Sequence, residues 1–70
     1  MNTKEILELA RKHVRNGAAM ESSALLCLED AENFARSGVE AIARNRAVAS
    51  LKYSVGIFHC DYQKAKGALS

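Results

Sequence analysis

The absence of proline, together with alanine-rich segments of helical spacing, constrains the fold of this chain most strongly. Proline removes a backbone hydrogen-bond donor and clashes with the preceding helical turn, so a chain without it can form long uninterrupted helices. None of the 70 residues is proline, and alanine, which has the highest helix propensity, recurs along the chain. The sequence therefore predicts an all-α fold, built as a single helical domain over residues 1–70.

The first predicted helix runs from about Thr3 to Arg15. Asn2 or Thr3 can cap its N-terminus, and Glu5 stands three residues after Asn2, as in a capping box. Gly17 is the expected stop, because glycine tolerates the left-handed conformation that follows many helices. The predicted apolar face consists of Ile6, Leu7, Ala10 and Val14.

Two longer helices are predicted to form an antiparallel hairpin at the centre of the fold. The second runs from about Ala19 to Arg36, and the third begins near Val39, after a short Ser37-Gly38 connection. The apolar face of the second helix comprises Met20, Ala24, Cys27, Leu28, Ala31, Phe34 and Ala35. The matching stripe of the third helix comprises Ala43, Ala47, Ser50, Leu51, Ser54 and Phe58. Most of these side chains are small, so the two backbones can approach closely.

The C-terminal part is predicted to break around His59 to Asp61. Asp61 would then cap a short helix from Tyr62 to about Ala68, which gives a bundle of three helices plus a short fourth. The alternative is one long helix that passes through Gly56, at a cost of about 1 kcal/mol relative to alanine.

The charge pattern has two interpretations. The formal net charge is +2, and Glu8–Lys12, Glu32–Arg36 and Glu40–Arg44 have the acid four residues before the base, which stabilises exposed helix faces. A basic flank of the third helix, formed by Arg44, Arg46 and Lys52, could contact nucleic-acid phosphates. It could equally be a solvated face that pairs with acidic residues of the second helix.

The segment His59-Cys60-Asp61 is the most polar candidate for chemistry. Zinc sites usually show recognisable ligand spacing, and no two His or Cys residues here lie three or four positions apart. The favoured interpretation is a polar turn at a helix end, with His13 partly buried beside the first apolar stripe. We expect no metal, no cofactor and no catalytic residue, because known catalytic motifs are absent and 70 residues leave little room for a preorganised pocket.

Localisation is predicted to be cytoplasmic. No segment approaches the roughly 20 apolar residues of a membrane span, so no membrane partner is expected. The charged N-terminal segment does not resemble a secretory signal. Cys27, on an apolar face, and Cys60 are therefore expected to stay reduced, although a disulfide between them is left open.

Small size predicts self-association. A 70-residue chain buries only about 60% of its unfolded surface, so subunit contacts would supplement its core. Apolar side chains that lie off the main stripes are the candidate protein interface: Leu26, Ile42 and Tyr53.

Parts of the chain resemble other proteins in two ways. The pieces LCLEDA at Leu26–Ala31 and SLKYSVGIFHCDYQKA at Ser50–Ala65 resemble small uncharacterised proteins of bacteria and their phages, which imply no established activity. The layout of Ala31, Gly38, Ala47 and Leu51 is similar to tetratricopeptide-type helical hairpins, which bind peptides, but the 34-residue repeat and the terminal proline are absent.

The predicted function is a non-enzymatic cytosolic protein-interaction module that associates with itself or with another protein. The alternative is a small nucleic-acid-binding accessory protein that uses the basic flank, and a metal or redox site at His59-Cys60 ranks third.

Overall fold

Four helices make up the computed structural model, which describes residues 1–69. They are α1 (Thr3–Arg15), α2 (Glu21–Arg36), α3 (Glu40–Val55) and α4 (Cys60–Gly67). No strand occurs in the described part of the chain. The all-α bundle with a short fourth helix is confirmed, and α2 and α3 form its closest pair.

The ends of α1 follow from local sequence. The Asn2 side chain accepts a hydrogen bond from the Glu5 amide at 2.8 Å, and the Glu5 carboxylate accepts one from the Asn2 amide at 3.2 Å. This reciprocal capping box satisfies two amides that a helix start leaves unpaired. Gly17 has φ +91°, which is the conformation expected of a glycine after a helix end. The predicted bounds of α1 are therefore confirmed.

The start of α2 lies two residues later than predicted. The Ala19 and Met20 amides donate to the carbonyl oxygens of Ser54 and Tyr53, at 3.3 and 3.1 Å. Those carbonyls belong to the last turn of α3, where a helix leaves its acceptors unpaired. These two hydrogen bonds to α3 hold Ala19 and Met20 outside α2. Met20 is exposed, so its assignment to the buried face was wrong.

The core lies between the three long helices and the inner side of α4. Its buried apolar members include Ile6, Leu7, Ala10, Leu28, Ala31, Ala47, Val48, Leu51, Tyr62 and Ala65. Five residues of the predicted α3 stripe are buried as expected: Ala43, Ala47, Ser50, Leu51 and Ser54. The contact between α2 and α3 is packed largely through small, fully buried residues, which include Ala24, Ala31, Ala47 and Ser50.

The break after α3 occurs at Gly56, which has φ +90° and ψ 160°. A break before the last helix is confirmed, although it covers residues 56–59 rather than the predicted His59 to Asp61, and the alternative of one continuous helix is wrong. The chain turns there and α4 begins at Cys60, with His59 rather than Asp61 as its N-cap; His59 Nδ1 accepts from the Asp61 amide at 3.2 Å. Phe58 lies in this turn and is 89% exposed, so its assignment to the α3 stripe was wrong.

None of the helices in residues 1–69 has both the length and the apolar character needed to cross a lipid bilayer.

Candidate functional site

One side of the α2–α3 hairpin is covered by α1. The Arg11 guanidinium of α1 lies 3.5 Å from the Glu32 carboxylate of α2. On α3, Arg44 Nε donates to the Thr3 hydroxyl at 3.3 Å. Glu32 and Arg44 therefore mark the flank of each helix that faces α1.

The opposite flank of the hairpin carries a set of incompletely buried apolar side chains. Ile42, Ala49 and Tyr53 recur on α3 at a spacing of seven and then four residues, which places them on one side of that helix. On α2, Cys27 and Phe34 point about 140° and 160° away from Glu32, which faces α1, so they lie on the same open flank. We call this set, together with Leu26 at its outer edge, the open face: Leu26, Cys27, Phe34, Ile42, Ala49 and Tyr53.

The Cys27 thiol on the open face is influenced by charges from both helices of the hairpin. Partial burial raises the pKa of the Cys27 thiol, while the positive charge of Arg46 on α3 opposes the rise and Asp30 adds to it. Arg46 follows Ile42 by four residues and precedes Tyr53 by seven, so it lies on the same side of α3 as these two residues. The open face thus combines apolar side chains with one cation and one anion.

The predicted interface residues retain much of their exposure. Leu26 is 61% exposed and Ile42 is 40% exposed, whereas Tyr53 is partly buried. Ile42 and Tyr53 share one side of α3, and Leu26 lies on α2 at the rim of the same flank. Phe58 is a further exposed apolar side chain. The sequence did not reveal it, because Phe58 continues the helical spacing of the predicted α3 stripe beyond Gly56.

The basic flank does not form one strip. Arg44 is partly buried, bonded to Thr3 and 3.8 Å from the Glu40 carboxylate. Arg46 and Lys52 are exposed. Since residues two apart on a helix point about 200° away from each other, Arg44 and Arg46 face different sides of α3. Nucleic-acid contact through Arg44, Arg46 and Lys52 stays a prediction.

A polar cluster joins α1 to the start of α4. His13 Nε2 donates to Asp61 Oδ2 at 2.8 Å, and His59 Nδ1 lies 3.9 Å from the same oxygen. The two imidazole rings meet edge to face, with their centroids 5.3 Å apart. The hydrogen bond from His13 holds the pKa of Asp61 below its usual value, although partial burial acts in the opposite direction. We call His13, His59 and Asp61 the His–Asp cluster.

Local spacing could not reveal the His–Asp cluster. Ligand pairs that are recognisable in a sequence stand three or four residues apart, whereas His13 and Asp61 are separated by 48 positions. They meet because Ala10 on α1 and Tyr62 on α4 are both buried in the common core. Cys60, next to the cluster, is exposed and free, and Cys27 is also free.

No family model, curated protein or solved structure matches the chain.

Proposed function

We propose that this chain is a non-enzymatic cytosolic protein-interaction module that associates with a second copy of itself through the open face. The supporting observation is that, within residues 1–69, α1 packs on one flank of the α2–α3 hairpin and the open face lies on the other. On the other flank, apolar side chains of both helices remain partly or largely accessible, and burial of such side chains drives most protein association.

The size of the core favours this function. Among residues 1–69, the largest side chains that are fully buried are Ile6, Leu51 and Ser50. A core of this kind stabilises a small domain only modestly. Burial of the open face against another subunit would add apolar contact and stabilise the folded chain by mass action.

The charges of the open face fit a second copy. By helical spacing, Arg46 lies on the Ile42 side of α3 and Asp30 lies on the Cys27 side of α2, so both are on the open-face flank of the hairpin. In a two-fold dimer every contact occurs twice, with the two roles exchanged. Two open faces that meet antiparallel can therefore place Arg46 of each copy against Asp30 of the other, around an apolar centre.

Sedimentation equilibrium over a concentration series tests self-association. The chain has a mass of 7.6 kDa, and we expect the apparent mass to rise toward that of a dimer or larger assembly at micromolar concentration. A constant mass of one chain up to millimolar concentration would contradict the proposal.

Two neighbouring leucines of α2 provide a matched pair of variants. Leu26 borders the open face, whereas Leu25 is 43% exposed and lies about 100° away, toward the α1 flank. Leu26→Glu should weaken self-association about tenfold or more, since a charge replaces an apolar contact in both copies. Leu25→Glu should leave it unchanged. Equal effects of the two substitutions would place the interface elsewhere.

Binding to random-sequence duplex DNA tests the alternative function. If Arg44, Arg46 and Lys52 contact phosphates, affinity should fall steeply as salt rises, and Lys52→Gln should reduce that salt dependence. Salt-dependent binding by the monomeric chain would favour the nucleic-acid accessory role over self-association.

A further inference from the structure

The His–Asp cluster brings together three side chains that commonly ligate metals. His13 comes from the last turn of α1, His59 caps α4, and Asp61 lies in the first turn of α4. One ligand atom from each lies within 4.8 Å of the other two. Two imidazole nitrogens and one carboxylate oxygen form a donor set that suits zinc and related transition ions better than magnesium or calcium.

We propose that His13, His59 and Asp61 bind one Zn²⁺ ion, which ties the end of α1 to the start of α4. This site lies apart from the open face and does not depend on the proposed function. The fourth coordination position would be taken by water, because the His59 side chain is 40% exposed and leaves the cluster open to solvent.

The distances in the cluster bracket those of a bound ion. Zinc lies about 2.0–2.2 Å from nitrogen and oxygen ligands, so two ligands of a tetrahedral ion are about 3.3 Å apart. His13 Nε2 is 2.8 Å from Asp61 Oδ2, and His59 Nδ1 is 3.9 Å from that oxygen. Binding therefore requires the His13–Asp61 contact to open and the His59–Asp61 contact to close, each by about half an ångström. The two histidine nitrogens, which lie within 4.8 Å of each other, must also come to about 3.3 Å.

Metal binding at this site replaces existing hydrogen bonds. The ion would take the place of the proton that His13 shares with Asp61. Coordination through His59 Nδ1 would also displace the bond from the Asp61 amide, which caps α4. These same bonds hold the three side chains together in the metal-free chain. Binding therefore carries a lower entropic cost of gathering the ligands.

Calorimetric titration of the chelator-treated chain with ZnCl₂ tests the proposal, using protein that carries no histidine tag. We expect saturable binding of one Zn²⁺ per chain and no comparable binding of MgCl₂. In histidine-ring NMR spectra, the nitrogen signals of both His13 and His59 should shift together and saturate at the same ratio. The absence of saturable Zn²⁺ binding would overturn the proposal.

Three variants assign the ligands. His13→Gln, Asp61→Asn and His59→Asn should each weaken Zn²⁺ binding by at least about tenfold. A tenfold loss is the lower end of what is typical when a residue that only supports a metal ligand is replaced. Glu29→Gln, which removes an exposed carboxylate of α2 that belongs to neither proposed site, should leave it unchanged. Wild-type affinity in the three ligand variants would overturn the assignment.

The His59→Asn variant distinguishes loss of a metal ligand from loss of structure as the cause of weaker Zn²⁺ binding. Asparagine is among the best N-cap residues, so His59→Asn can retain the hydrogen bond to the Asp61 amide while removing the ring nitrogens. Its circular dichroism spectrum and melting temperature should match those of the metal-free wild type. Zn²⁺ should raise the melting temperature of the wild type but not that of this variant.

Discussion

Ser50 of α3 donates its hydroxyl hydrogen bond to the backbone carbonyl oxygen of Ala24 on α2, at 2.7 Å, and both residues are fully buried. A serine side chain is short, so this bond requires the two helix backbones to lie close together. Alanines at neighbouring buried positions, Ala31 and Ala47, allow that approach. The hairpin is therefore specified by small side chains and by one buried hydrogen bond between its helices.

Enlarging the centre of this contact should destabilise the fold. Ala47 is fully buried on the α3 stripe, so Ala47→Leu forces extra volume between two closely packed helices. We expect the free energy of unfolding to fall by about 1–3 kcal/mol, measured by urea denaturation. Ala41→Leu, at an exposed position of the same helix, is the control and should change it little. An unchanged midpoint for Ala47→Leu would mean that α3 faces another way.

Removing the hydroxyl of Ser50 should have a smaller effect. Ser50→Ala deletes the hydrogen bond to Ala24 and leaves a small side chain in place, so no overpacking arises. We expect a loss of about 0.5–1.5 kcal/mol in the free energy of unfolding, the usual net contribution of one such bond. The exposed Ser22→Ala is the matched control. If both serine variants are as stable as the wild type, the bond contributes nothing to the hairpin.

The turn between α3 and α4 depends on Gly56. Its φ of +90° and ψ of 160° lie in a region that is almost exclusive to glycine, although a Cβ there would meet no neighbouring atom within 4 Å. Gly56→Ala should therefore cost about 1–3 kcal/mol through backbone strain alone. Gly67→Ala is the control, because Gly67 ends α4 at an ordinary φ and also has open space. That substitution should be neutral or stabilising, and equal losses in the two variants would contradict the assignment of strain.

Features that depend on neighbouring residues were predictable from the sequence. Asn2 and Glu5 set the start of α1, and Gly17 and Gly38 follow the ends of α1 and α2, because caps and glycine turns act over a few residues. The small-residue stripe was predictable for the same reason, since helical spacing is local. All of these are confirmed.

Features that depend on tertiary contacts were not predictable. Met20 is held outside α2 by a carbonyl of α3, and no property of its own segment signals that pairing. His59 rather than Asp61 caps α4. The Asp61 carboxylate accepts a hydrogen bond from His13 of α1 instead. The His–Asp cluster arises from the same long-range contact. Phe58 is an exception, because its exposure follows from a local feature. The helix ends at Gly56, which places Phe58 in the turn.

The two cysteines should differ in reactivity. Only the thiolate reacts with iodoacetamide, and partial burial raises the pKa of the Cys27 thiol above its usual range. A raised pKa lowers the thiolate fraction at pH 8, and partial burial also limits access. Cys60 is exposed, so mass spectrometry of the native chain should show it alkylated first. Equal rates in the native chain would contradict this.

Arg46 should control the reactivity of Cys27 across the open face. Its positive charge lowers the pKa of that thiol and so offsets part of the effect of burial. Arg46→Gln should therefore raise the pKa further and slow the alkylation of Cys27 at pH 8, while the rate at Cys60 stays the same. Lys52→Gln removes a charge from another exposed position of α3 and serves as the control. If Arg46→Gln leaves the Cys27 rate unchanged, Arg46 does not lie beside the thiol, and the charge pattern assigned to the open face is wrong.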